Sequence, residues 1–209
     1  MSTWISRRGV ALGVFMSLSA CVPTEFGGIS GVATRSLVVS DGAVTVTAPQ
    51  GYCIDRSASR DGAEGAFVLI GTCAALSGAL SAGQPVKPAV LTASVLTGAP
   101  AEGIAGILPE MSGFFATEAG RAALSRSGEA DSVDLLQAVS QGDTLYLRVS
   151  DRSAAEAPVE PEYWRAVLAL RGRMVTLSSL SLAKFPLTQE EKRSVLEQFV
   201  SRMRAANGA

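Results

Sequence analysis

The chain has 209 residues, 47% of them apolar and 18% charged, a composition that supports a packed core and excludes a disordered chain. Its formal net charge is −1, lysine occurs only at Lys87, Lys184 and Lys192, and the arginines are scattered, so the clustered basic surface that nucleic acid requires is missing. There is no histidine, which excludes Ser-His-Asp and Cys-His catalysis and removes the commonest metal ligand, and neither a metal site nor a cofactor is expected.

Residues 1–20 are laid out as a secretory signal peptide: Arg7 and Arg8, an apolar run from Gly9 to Met16, then small residues. The run is shorter than the roughly 20 apolar residues that cross a bilayer, so it reads as a cleaved segment. Leu18-Ser19-Ala20-Cys21 resembles the lipobox of bacterial lipoproteins. That resemblance implies diacylglycerol on the Cys21 thiol, cleavage just before it, and attachment to a lipid bilayer through acylated Cys21. Val22 stands where an aspartate favours inner-membrane retention, which leans towards the outer membrane, with the domain facing the periplasm. Gly9-Val10-Ala11 lacks the phenylalanine and lysine usual after a twin-arginine pair, which favours the general secretory route.

Taking Cys21 for lipid leaves Cys53 and Cys73, an even pair in an oxidising compartment, and predicts a disulfide between them. Residues 21–36, with Pro23, Gly27, Gly28 and Gly31, read as a flexible tether, and residues 37–209 as one domain. Leu37-Val38-Val39 and Val44 to Thr47 flank Asp41-Gly42, a two-residue hairpin signal. Ser57 to Gly65 read as a polar loop, Ala66 to Ile70 as a strand buried on both faces, and Ala89 to Leu96 as a further strand. Gly98 to Gly106 read as a flexible connection, followed by one helix from about Glu110 to Ser125. Two hairpins follow, Val133–Val139 with Thr144–Val149 and Tyr163–Leu170 with Met174–Leu182, separated by an acidic stretch, Asp151 to Glu162, expected to be mobile.

The last element is an amphipathic helix. Thr188 and Glu191 form a capping box, Val195, Leu196, Phe199, Val200 and Met203 form one apolar stripe, and Asn207-Gly208 ends it. The whole predicts an α+β fold, an antiparallel sheet of hairpins and meander with a middle helix and a C-terminal amphipathic helix packed on it. This order over residues 37–206 is similar to that of PsbP-like sandwich proteins, a resemblance that implies assembly and accessory roles rather than catalysis.

Several residue patterns invite a chemical reading. Ser181-Leu182-Ala183-Lys184 matches S-x-x-K, in which a lysine activates a serine, but it stands at a strand end without the partner motifs of penicillin-binding enzymes. Glu156, Glu160 and Glu162 read as a solvated acidic lip rather than an acid-base pair. Tyr163 and Trp164 open a strand, so one faces the core and the other is a candidate partner contact. No residue is assigned as catalytic. The leading expectation is a non-enzymatic envelope lipoprotein that binds an envelope protein partner or supports an assembly. A small-ligand or lipid carrier is the alternative, and a Ser181–Lys184 hydrolase a third.

Overall fold

The computed structural model describes residues 33–79, 83–100, 102–154 and 158–209. The expected signal peptide, Cys21 and the part of the expected tether up to residue 32 lie outside the described residues. The strands are β1 (Ala33–Thr34), β2 (Ser36–Val39), β3 (Val44–Thr47), β4 (Tyr52–Gly62), β5 (Gly65–Thr72), β6 (Ala89–Thr97), β7 (Val133–Gln141), β8 (Thr144–Asp151), β9 (Val159–Leu170) and β10 (Arg173–Leu182). The helices are α1 (Cys73–Ser77), α2 (Leu108–Ala116), α3 (Glu118–Leu124) and α4 (Gln189–Asn207). The fold is α+β: an antiparallel sheet in the order β1-β4-β5-β6-β10-β9-β8-β7, beside a small sheet of β2 and β3.

Strand alternation sends side chains to two cores, one on each face of the large sheet. On β9, Trp164, Ala166 and Leu168 pack with Leu196, Phe199 and Met203 of α4 and with Val44 and Val46 of β3. Tyr163 and Val167 point the other way, towards Ile104, Leu108 and Leu124 from the segment holding α2 and α3. Leu145, Leu147 and Val149 of β8 alternate as expected, but that strand is not half-buried, because Tyr146 fills its other face.

The middle helix is two helices, with Thr117 as C-cap of α2 and N-cap of α3. Its hydroxyl accepts a hydrogen bond from the Gly120 N–H. Gly120 lets the two helices touch, since a Cβ there would meet the Phe114 carbonyl oxygen at 2.0 Å. The polar segment expected as a loop belongs to β4. The Asp55 carboxylate accepts from the Ser57 and Ala58 N–H groups, Ser59 Oγ accepts from the Leu69 N–H, and regular pairing resumes at Arg60. β5 is buried on one face only, at Ala66, Val68 and Ile70, with Arg60 lying over the Phe67 ring on the other. The glycine-rich connection is anchored by Ile104, which is fully buried.

The acidic stretch is largely ordered. Asp151 ends β8, and Glu160 and Glu162 lie in β9, while Glu156 falls outside the described residues. Pro161, which cannot donate to a ladder, is accommodated where the β9–β10 register shifts between Leu180 and Leu182. The folded part also begins earlier than Leu37, because Ala33 pairs with Asp55 and Thr34 with Ile54. Asp41-Gly42 do form the hairpin turn with positive φ, joined by Ser40, whose N–H is held by the Asp61 carboxylate.

α4 carries the expected capping box and apolar stripe and ends at Gly208 in the left-handed region. Cys53 and Cys73 are joined, tying the start of β4 to α1 across a separation of 20 residues. Among the described residues, no helix is long and apolar enough to cross a membrane.

Two stability effects follow. Gly120→Ala forces a clash with backbone that cannot move aside cheaply and is expected to cost about 1–3 kcal/mol, read as a lowered urea midpoint. Replacing Cys53 and Cys73 together by alanine releases the crosslinked loop and is expected to cost about 3 kcal/mol; an unchanged midpoint would show that the pair contributes nothing.

Candidate functional site

The polar side chains that the sequence marks out converge beneath the first turns of α4. Glu160, Glu162 and Trp164 stand at alternate positions of β9, so all three face the helix. The helix stripe continues one turn towards its N-terminus through Lys192, which lies four residues before Leu196 and is buried with 1% exposure. Its ammonium donates to Glu160 Oε2 at 2.9 Å and to the Glu162 carbonyl at 2.9 Å. The Ser181 hydroxyl, fully buried on β10, donates to the same Glu160 oxygen. Glu162 accepts from Arg148 at 2.7 Å and from Gln189 at 2.9 Å. Outward, the cluster borders a cleft of about 620 Å³ whose lining includes Arg148, Ser150, Arg152, Thr188 and Gln189.

The electrostatics favour a fixed ion pair over proton transfer. Burial pushes the Glu160 carboxyl up, but the Ser181 hydrogen bond and the bond and charge of Lys192 outweigh it and hold the group below the ordinary carboxylate range. A carboxylate tuned that way is a weak base near neutral pH. Ser181 is therefore partnered by Glu160, and Lys184 of the S-x-x-K pattern lies exposed on the following turn. The pattern fails because the last turns of β10 direct the serine inwards, against β9.

Tyr163 and Trp164 are both core residues, at 1% and 4% exposure, so neither is a surface contact. A sheet covered on both faces buries both alternating positions. The Tyr163 hydroxyl donates to the Leu124 carbonyl at 2.8 Å, and Arg193 lies 5.0 Å over the Trp164 ring and 5.1 Å over that of Tyr146. A buried carboxylate, Asp151, accepts from the Arg126 N–H at 2.8 Å and the Ser153 N–H at 2.9 Å. Burial raises its pKa, and those hydrogen bonds with that of the Arg126 side chain bring it below the usual value. Among the described residues, no group of three or more potential metal-ligating side chains could hold an ion.

Lys192, Arg148 and Asp151 were not marked by sequence reasoning. Lys192 had a signal: its spacing places it on the apolar stripe. Arg148 and Asp151 had none, because their charged partners, Glu162 and Arg126, meet them only through strand pairing and the packing of the segment after α3.

No family model matches the sequence, and no curated protein is significantly similar to it. Among solved structures, the chain is similar to a point mutant of the protein Mog1, with a TM-score of 0.41 and 11% identity over 83% of this chain and 94% of that one. So distant a likeness transfers neither fold nor function.

The ion pair is expected to respond asymmetrically to substitution. Glu160→Gln leaves a buried ammonium without its counter-charge and should cost about 3 kcal/mol, the low end for buried pairs because Glu160 keeps some solvent contact. Lys192→Met leaves a carboxylate that water still reaches and should cost under about 1.5 kcal/mol. Because the folded pKa of Glu160 is lowered, its contribution is complete above the unfolded value of about 4.3 and lost as pH falls through the folded one. The parent should therefore lose more stability on acidification in that range than Glu160→Gln, as measured by urea midpoints against pH.

Proposed function

We propose that this chain is an exported lipoprotein of the cell envelope, held on a bilayer through acylated Cys21, whose α+β domain is a non-enzymatic module that binds an envelope protein partner or supports an assembly. The observation that carries the reading is the lipobox-like Leu18-Ser19-Ala20-Cys21, separated by eleven residues from Ala33, the first paired residue among those described. That spacing lets the domain stand no more than roughly 40 Å from the membrane. The joined Cys53 and Cys73 agree with an oxidising compartment. The engagement of Ser181, Glu160 and Lys192 with one another supports a binding role over a catalytic one. The carrier alternative gains no support where it needs a cavity, because Leu196, Phe199 and Met203 fill the space between α4 and the sheet. Val22 and the resemblance to PsbP-like proteins favour an outer-membrane accessory role.

Cys21→Ser is expected to release the protein from the membrane fraction or leave it unprocessed, read by fractionation and the mass of the mature N-terminus. A fully cleaved form that stays on the membrane would overturn the lipid attachment. Purification of the wild type from gently solubilised membranes should bring down a stoichiometric protein.

A further inference from the structure

Val86 and Phe185 are the most exposed large apolar side chains among the described residues, at 97% and 60%. Single exposed apolar residues are ordinary on protein surfaces. These two are distinguished by where they sit and how they are held. Ala89, the first residue of β6, pairs with Ser181 near the end of β10, so the turn before β6 and the turn after β10 leave the same end of the sheet side by side. Prolines bound them, Pro85 and Pro88 around Val86 and Pro186 after Phe185. The first turn is pinned by the Tyr52 hydroxyl, which donates to the Lys87 carbonyl, and by Lys87 itself, 3.6 Å from Glu191. Its backbone also packs tightly on Gly51, where an added Cβ would lie 2.7 Å from the Pro85 nitrogen. The second turn is pinned by the Phe185 N–H on the Leu182 carbonyl and the Ala183 N–H on the Pro158 carbonyl, both at 2.9 Å. An apolar side chain held out by a fixed backbone loses little freedom when it is covered.

We propose that Val86 and Phe185 are the tips by which this end of the domain rests on a phospholipid bilayer, each inserting at the boundary between headgroups and acyl chains. The proposal builds on the lipid attachment at Cys21. Eleven residues reach roughly 40 Å, more than the roughly 30 Å of a nine-residue strand such as β6, so this end of the sheet can meet the surface to which the chain is tied. The charges around the tips largely neutralise one another: Lys87 faces Glu191, Lys192 faces Glu160 and Arg148 faces Glu162, while Lys184 beside Phe185 is exposed. A zwitterionic surface fits that balance better than an anionic one. Two separate tips flanked by Gln84, Lys87 and Lys184 also suit a fluid surface that closes around each. A stable protein interface instead joins on the order of 1,200 Å² of surface. The Lys184 stem beside Phe185 can lie along the apolar boundary with its ammonium among phosphates.

The test uses the full-length, lipidated protein in phosphatidylcholine vesicles with brominated acyl chains, which quench tryptophan on contact. Val86→Trp and Phe185→Trp place a reporter at each tip, and Leu96→Trp places one at the far end of β6, on a side chain 49% exposed. With the parent signal subtracted, fluorescence should be lost at positions 86 and 185 and kept at 96, unchanged at high salt. Flotation of the same vesicles reads the anchor separately. Flotation with both tip tryptophans unquenched, or quenched no more than the one at 96, overturns the docking, leaves the anchor standing and points to a protein on this surface. A protein that fails to float overturns both.

Discussion

Where the sheet is covered on both sides, along β8, β9 and β10, no face is left on which an unpaired charge can rest, and α4 meets that constraint at Lys192. The helix lies across β9 and β10, near the middle of the sheet, and its stripe of Val195, Leu196, Phe199, Val200 and Met203 is apolar as such a position demands. One turn earlier the stripe presents a lysine, which is tolerable only because Glu160 meets it directly and the Glu162 carbonyl takes a second donor. Burial of such a pair yields little net stability over an apolar contact, whereas removal of one partner is expensive. The pair therefore acts through register. It fits only when α4 is seated so that residue 192 stands over residue 160, and an apolar stripe alone slides more freely.

The sequence made the elements legible where periodicity and capping agree. α4, with Thr188 and Glu191 at one end and Gly208 at the other, was readable to within a residue, and so were β6 and the turn at Asp41-Gly42. Polar strand was harder to read. Ser57 to Gly62 extend β4 near the sheet edge through side chain bonds from Asp55 and Ser59, which no hydropathy pattern records. Glu160 and Glu162 looked like solvated loop because Pro161 stands between them, and only a bulge in β9 itself, where residues 160–162 stand against Ser181 alone, makes a strand possible. The same limit governed the site. Ser181 and the glutamates were noticed but assigned to other partners, since Lys192 reaches Glu160 across 32 residues of chain. Trp164 and Tyr163 were misjudged for one reason, the assumption that a hairpin has a wet face.

Polar and charged side chains close both ends of the sheet. At the end holding the β2–β3 turn, Arg204 pairs with Asp143, Asp61 accepts from the Ser40 N–H, and the Asn207 amide both accepts from the Thr45 N–H and donates to the Thr45 carbonyl, each at 2.9 Å. Asn207 thus ends the helix and pairs with β3 as another strand would, which docks the small sheet onto the large one. At the opposite end, charged side chains bond mainly to one another, around Glu160, Glu162 and Asp151, and the turns between them project apolar tips.

The attachment proposed at Cys21 would load the domain at its N-terminal end. A pull arriving at Ala33 meets first the two residue pairs of β1 with β4, a weak contact by itself. Immediately behind it, Cys53 is bonded to Cys73, so β4 cannot peel from α1 and the end of β5 even if β1 lets go. Beyond β1 the chain passes into β2 and β3, which are held by the Asn207 amide and the apolar contacts of Val44 and Val46 with α4, and α4 is seated by Lys192. The load is thus divided between a covalent link on the sheet side and the packed helix on the other. Under the proposed attachment, each would protect the part of the fold nearest Ala33.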